Sequence, residues 1–417
     1  MSVYIHHIEC QVPQTCYSQS VLMEKYKSWL NGSEKTNRYI ELIYQESGIE
    51  KRHSVIADLQ DFYCGCEPTP SKGPTTKSRN DLFTAATKEM SVSLARKAIL
   101  DCHDIHFSDI THLIVVSCTG FFNPGPDYEI IHKLDLNKNV QRYNLGFMGC
   151  YGAFPGLRLA HAICQSDPDA TVLMVAVELC TLHAQYRDDL DSILGSALFG
   201  DGGAAVIINS RPPKSEHPVF RLEHFESTLI PDSEGDMAWT IGDAGFEMVL
   251  SQYIPKIIQA NITEIITPML ARRGMTVPDI RHWAIHPGGR LILDKIEFAL
   301  RLNGRLEPSR TVLREYGNMS SPTVLFVLKE ILRQPSNGCN EPVLSMAFGP
   351  GLTVEVGFLN KQTVLPTTQP MKTASDEKAS SERNFSPRTC AGGKPCPQVT
   401  GLNIQSDVRP QPTPRES

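Results

Sequence analysis

Leu94-Ala95-Arg96, followed by Asp109-Ile110-Thr111-His112 and the apolar run Leu113-Ile114-Val115-Val116, is a stretch that the chain uses twice. Its echo is Leu270-Ala271-Arg272, then Asp279-Ile280-Arg281-His282 and Trp283-Ala284-Ile285. Each copy reads as a helix end, a short loop and a buried strand. A second echo closes each half. Phe199-Gly200-Asp201-Gly202 precedes Ala204 to Ile208, and Phe348-Gly349-Pro350-Gly351 precedes Leu352 to Phe358. In both, glycines allow a tight turn before a strand rich in β-branched residues. Two echoes in the same order imply a duplicated α/β body, with apolar strands forming mostly parallel sheets covered on both faces. The expected halves are residues 1–215 and 216–360, dividing near the polar, proline-rich stretch Pro212 to His217. Phe199-Gly200-Asp201-Gly202-Gly203 lacks the Lys-Ser/Thr of a phosphate loop and the spacing of a dinucleotide fingerprint, so these glycines read as structural turns.

Working outward, residues 361–417 change character: eight prolines, many Ser, Thr and Gln, and one aromatic, Phe385. Such a segment buries too little apolar surface to offset its ordering entropy and is expected to be a disordered tail. The whole chain has 417 residues, 41% hydrophobic and 21% charged, a net charge of −6 and a pI of about 6.1. That balance leaves no basic field for nucleic acid or an anionic membrane. Met1 to Cys10 carries no signal-peptide pattern, and no apolar run is long enough to span a bilayer, so a cytoplasmic location is expected. The 12 cysteines have irregular spacing, and the expected compartment is reducing, so disulfides are not expected. Cys64-Gly65-Cys66 and the Cys390/Cys396 pair lack the partners of a zinc site, and no metal is expected.

Chemistry concentrates at three places. Cys150 sits in Gly146-Phe147-Met148-Gly149-Cys150-Tyr151-Gly152, just before Ala153, Leu157, Ala160, His161 and Cys164 at helical spacing. A thiol at a helix start feels the positive end of the dipole, which favours thiolate. Alone it would read as one more buried structural cysteine. His286 ends the strand Trp283 to Ile285 and precedes Pro287-Gly288-Gly289, where strand ends open into a cleft. Asn318 lies in Tyr316-Gly317-Asn318-Met319-Ser320-Ser321, a glycine turn before a helix. Any one of the three has a structural reading as a cap or a satisfied core group. Together, each at an element end beside glycine, they fit a Cys-His-Asn site.

At these residues the sequence resembles the chalcone and stilbene synthase family, the type III polyketide synthases. The motifs around Cys150, Phe199, His286, Asn318 and Phe348 match that family in order, over Val3 to Leu359. The resemblance implies a homodimeric thiolase fold with αβαβα layers. It implies acyl transfer from coenzyme A thioesters to Cys150 and extension with malonyl-CoA, His286 and Asn318 stabilising the enolate, with no metal or redox cofactor. It places Phe199 and Phe246 where the coenzyme A tunnel meets the pocket, and Cys118 and Ser320 in the pocket wall. Tyr39, Leu42 and Glu46 stand where plant members carry basic residues, which leaves Arg38, Lys51 and Arg52 as candidates for the coenzyme A phosphates. Cys118 to Phe122 and Glu178 to His183 look more like bacterial and fungal members that make alkylpyrones or alkylresorcinols from fatty acyl starters. Two rivals share the fold. A ketoacyl-ACP synthase III would follow its histidine with Gln-Ala-Asn, not Pro287-Gly288-Gly289, and a catalytically silent scaffold subunit would not keep the triad intact.

Overall fold

The computed structural model describes residues 1–363, apart from 66, 68, 71–72, 104, 215–216 and 337–339. Residues 364–417, which hold almost all of the expected tail with Cys390 and Cys396, lie outside the described residues, as does Cys66. Nine strands form one sheet in the order His282–Ile285, Glu341–Gly349, Thr353–Gln362, Val219–Leu229, Val3–Gln11, Asp201–Asn209, Thr171–Leu179, His112–Ser117, Gln141–Gly146. Both echoed strands are there, His112–Ser117 on one flank and His282–Ile285 on the other. The expected division near Pro212 to His217 falls between Asp201–Asn209 and Val219–Leu229, with residues 215–216 outside the described set.

Parallel pairing occupies the two flanks. His112–Ser117 runs parallel to Gln141–Gly146 and to Thr171–Leu179, and His282–Ile285 runs parallel to Glu341–Gly349. The five ladders between these flanks are antiparallel. Connection length explains part of this: Glu341–Gly349 returns into Thr353–Gln362 through only Pro350–Leu352, too short for a parallel crossover.

The layers follow from strand alternation. Ile114, Val116, Val172, Met174 and Ala176 pack in one core with the helices Ala153–Ser166 and Thr323–Arg333. Leu113, Val115, Leu173, Val175 and Val177 pack in a second, against the helix Thr76–Asp101. On the other flank, Ala284, Val343 and Ala347 join the first core, while Trp283, Ile285, Leu344 and Met346 meet the helices Ile254–Ala271 and Arg290–Leu300. The two flanks of the one sheet thus serve as the two β layers around the middle helices, which gives the αβαβα layering. Each fully buried Leu, Ile, Val or Phe in such a core contributes roughly 1.5–3 kcal/mol over exposure. The middle helices therefore sit between two apolar faces, and their amino ends meet at the site.

One boundary needs correction. The tail was expected from residue 361, but the last strand runs to Gln362. Lys361 is fully buried, and its Nζ donates to the carbonyls of Ile331 (2.9 Å) and Gln334 (2.6 Å) at the end of the helix Thr323–Arg333. Composition could not show this, because a lysine normally signals surface, and here carbonyls at a helix end hold the ammonium.

Candidate active site

The strand Gln141–Gly146 leads into Phe147 (φ 60°) and Gly149 (φ 71°), and the chain turns through Gly149–Tyr151 into the helix Ala153–Ser166. Gly149 is required twice over, by its positive φ and because a Cβ there would lie 2.6 Å from Pro350 Cδ. Tyr151 packs on Gly349, where a Cβ would come within 2.3 Å of its ring. The Phe348-Gly349-Pro350-Gly351 echo thus clamps the turn that carries Cys150. Cys150 keeps accessible surface only as a part-buried residue lining a large cavity. Burial pushes its thiol up to about 11, opposed by hydrogen bonding to Ser320 and Asn318. Loss of hydration thus works against the helix end, which favours the thiolate.

Asn318 is fixed on both sides. Its backbone N–H donates to Leu198 O (2.9 Å), and its carbonyl accepts from Gly200 N–H (2.9 Å), tying it beside Phe199. Its Oδ1 accepts the Ser320 N–H at 2.8 Å. Nδ2 lies 3.8 Å from Cys150 Sγ and 3.5 Å from the Gly288 carbonyl, with Oδ1 3.9 Å from the same sulfur. His286 hangs from the strand end by its N–H to Met346 O (2.8 Å). Its ring is 1% exposed, and neither ring nitrogen has a hydrogen-bond partner within the described residues. Burial lowers its pKa to about 3, so the ring is neutral. An unpaired neutral imidazole, a directed amide N–H and a thiol line one cavity. This set can accept a proton, donate to a developing oxyanion and form a thioester.

Family models for the chalcone and stilbene synthases match both halves, the N-terminal domain over residues 3–212 and the C-terminal domain over 221–363. The chain belongs to the chalcone and stilbene synthase family. Similar solved structures include the C-terminal type III polyketide synthase domain of Steely1, a type I/III hybrid from Dictyostelium. It is 28% identical with a TM-score of 0.79, over 87% of this chain and 100% of that one. PKS-I from the brown alga Ectocarpus siliculosus is 28% identical with a TM-score of 0.78, over 87% of this chain and 99% of that one. The chain is accordingly a type III polyketide synthase, a transferase with the thiolase fold.

Other parts of the synthase's cavity come from residues that sequence reading only partly found. Cys118 and Ser320 meet, Sγ to Oγ at 3.5 Å, and both line the cavity. Beneath them Glu178 is fully buried and accepts from the Cys118 N–H (2.9 Å), Thr119 Oγ1 (2.7 Å) and Ser321 Oγ (2.6 Å). Burial raises its pKa, and these donors oppose the rise. Phe246 is buried and stacks on His183 with centroids 4.1 Å apart. His183 Nε2 bonds Thr119 O (2.7 Å), its Nδ1 accepts the Phe246 N–H (3.0 Å), and Trp239 Nε1 donates to Cys118 O (2.8 Å). Together they pin the hairpin Met237–Leu250 over the pocket. Phe199 and Met248 line the same cavity. Sequence reading missed Glu178, His183, Trp239 and Met248 as site residues, because each acts through a partner distant in the chain.

The phosphate candidates fare differently. Arg52 is 4% exposed and lies behind Phe199, so it cannot meet a diphosphate at the surface. Lys51 pairs with Glu315 (2.8 Å), and Arg38 pairs with Glu34. Tyr39 and Leu42 are exposed, and Glu46 pairs with Arg290. One trio within the described residues has ligand-like spacing, His7, Glu9 and Asp101. Glu9 already pairs with Lys97 (2.5 Å) and Lys329 (2.9 Å), so the trio is an ion-pair network. The eight described cysteines are all free thiols. No described helix is long and apolar enough to cross a membrane.

Proposed function

We propose that the synthase loads an acyl group from acyl-CoA onto Cys150 and extends it by decarboxylative condensation with malonyl-CoA. The observation that carries this is the Asn318 amide, held by the Ser320 N–H within 4 Å of the Cys150 sulfur, beside a His286 ring with no hydrogen-bond partner within the described residues. A ring nitrogen of His286 takes the Cys150 proton as the sulfur attacks the thioester, and coenzyme A leaves as its thiol. Malonyl-CoA then loses carbon dioxide, and the electron pair passes to its α-carbon and thioester oxygen. His286 and Asn318 Nδ2 donate to that oxygen. The α-carbon attacks the acyl carbonyl, the C–S bond to Cys150 breaks, and the chain, longer by two carbons, is on coenzyme A. These residues need no metal or redox cofactor, and the working form is a homodimer in the cytoplasm.

The starter in this reading is a medium or long fatty acyl group, and the product an alkylpyrone or alkylresorcinol, as in bacterial and fungal members. Support comes from the apolar character of much of the wall: Leu22, Leu59, Met237, Met248, Leu250 and Phe348. Each methylene buried there contributes about 0.8 kcal/mol, so kcat/KM should climb with starter length until the space is full. A site for a phenolic starter would instead discriminate sharply for the hydroxyl. The test is product analysis by mass spectrometry with starters from acetyl to stearoyl, and coumaroyl-CoA alongside. Wild type should show an optimum at a long chain, and Cys150→Ala should form no product while still folding. An optimum at coumaroyl or acetyl would refute the fatty starter and leave the condensation intact.

A further inference from the structure

Outside the cavity, the first two turns of the helix Thr76–Asp101 gather three of the segments that wall it. Thr76 Oγ1 donates to the Gly242 carbonyl and accepts the Gly245 N–H (2.8 Å), while the Thr76 N–H donates to Asp243 O (2.8 Å). One turn on, the Arg79 guanidinium donates from Nε to Pro74 O (2.9 Å) and from Nη1 to Leu182 O (2.6 Å) and Ala184 O (3.1 Å). Asn80 then clamps the backbone of Phe121: its Nδ2 donates to the carbonyl (2.8 Å), and its Oδ1 accepts the N–H (2.9 Å). The segments held are the turn of the hairpin Met237–Leu250, the loop after the strand Thr171–Leu179, and the loop after the strand His112–Ser117. Each contributes residues to the cavity, among them Phe246, His183 and Cys118. Thr76, Arg79 and Asn80 are not among the described residues that line it.

The hairpin needs such anchors. Among the described strands, Met237–Gly242 and Gly245–Leu250 pair only with each other, and a two-stranded ribbon alone is marginal in water. The register Met237↔Leu250 and Trp239↔Met248 puts these four side chains on one face, and all four line the cavity. Gly245 stands at φ 104°, and a Cβ there would lie 2.9 Å from Arg79 Cδ, so the turn packs directly on the arginine. Arg79 is 1% exposed. Burying a guanidinium is costly unless acceptors surround it, which ties the loop carbonyls to its position. We propose that Thr76 and Arg79 are positioning residues of the synthase, which from outside the cavity fix the hairpin and so set how sharply its wall discriminates between acyl starters. The proposal rests on the condensing function above and adds what holds the wall in place. Trp239 and His183 pin the hairpin at its middle, and the helix start pins its turn. A ribbon held at both points has one position.

A pair of variants at one position tests it. Thr76→Val keeps the shape and removes the hydroxyl, whereas Thr76→Ser keeps the hydroxyl and removes the methyl. The measurement is the ratio of kcat/KM for the two best starters of the wild type. That ratio does not depend on how much of the protein is folded, so a merely structural role leaves it unmoved. Thr76→Val is expected to bring the ratio roughly threefold to tenfold closer to one, the weight of one hydrogen bond, and Thr76→Ser to restore the wild-type value. Arg79→Lys repeats the test at the second anchor and should shift the ratio the same way. Melting temperature verifies folding, and if Arg79→Lys does not fold, the Thr76 pair decides alone. An unchanged ratio in folded Thr76→Val would mean that Trp239 and His183 hold the hairpin by themselves, and the proposal is then wrong. It is equally wrong if Thr76→Ser shifts the ratio as far as Thr76→Val. Wild-type protein that loads starters but never condenses would overturn the condensing function itself, a result visible before any variant is compared.

Discussion

The strand His112–Ser117 runs on into Cys118 and Thr119, and its echo His282–Ile285 runs on into His286. The two ends sit on opposite flanks of one sheet, reached from the same helix-loop-strand unit, yet their polar groups have opposite fates. At the first end everything is paired. The Cys118 N–H and the Thr119 hydroxyl go to Glu178, and their carbonyls accept from Trp239 and His183. At the second end the backbone is held by Met346, while both ring nitrogens of His286 are left without partners. The difference teaches how a duplicated fold divides labour. A saturated network holds the wall at one end, and an unpaired ring faces the cavity at the other.

The sharpest way to break the comparison is to remove each of the two groups proposed to donate to the enolate. Asn318→Ala should still take an acyl group from a starter but decarboxylate malonyl-CoA roughly 10²–10³-fold more slowly, the usual cost of one oxyanion donor. His286→Ala should fail in both half-reactions, because it also receives the Cys150 proton. Separate assays of acyl-enzyme formation and of carbon dioxide release distinguish them. Equal acylation defects in the two variants would end this division of roles.

The saturated end makes the next prediction. Glu178→Gln sets an amide N–H against the donors of Cys118, Thr119 and Ser321, so at least one buried donor loses its acceptor. Urea denaturation should show a loss of about 1–3 kcal/mol. A neutral result would mean that the network rearranges freely and does not fix the wall.

Chain ends give a smaller contrast. Truncation after Leu359 removes Lys361 from its carbonyls and Gln362 from its pairing with Val219, and should lower the melting temperature by a few degrees. Truncation after Thr363 should leave melting temperature and turnover unchanged, as the composition of the remainder predicts. If the two truncations melt together, Lys361 adds nothing.

The mildest effect is in pH. The folded-state pKa of His286 is lowered to about 3, and that of His183 to about 4, from an ordinary 6.5. Below pH 6.5 the unfolded chain therefore binds protons that the folded protein does not. This contribution to stability is complete above pH 6.5 and is lost as pH falls toward 3 to 4. His286→Asn should lose less melting temperature than wild type between pH 7 and pH 5. An identical slope would assign the acid sensitivity elsewhere.

The sequence by itself determined the α/β fold, and it singled out Cys150, His286 and Asn318, which the structure brings to one cavity. Those features are local: a period of two in a strand, a glycine that must turn, a reactive residue at an element end. It also located Phe199, Phe246, Cys118 and Ser320 in the cavity through family likeness. Tertiary structure alone decided the rest. How far burial pushes the Cys150 thiol up depends on how much water the surrounding layers exclude, and no motif carries that quantity. Glu178 entered only as the start of a stretch that looks like bacterial and fungal members, and its donors, some sixty and more positions away, close around it only in the fold. Arg52 read as a surface cation for phosphates, and packing behind Phe199 made it a buried donor facing the cavity. Lys361 read as tail, and two carbonyls at a helix end drew it into the core. In each case the deciding energy is desolvation against long-range pairing, which exists only once distant parts of the chain are in contact.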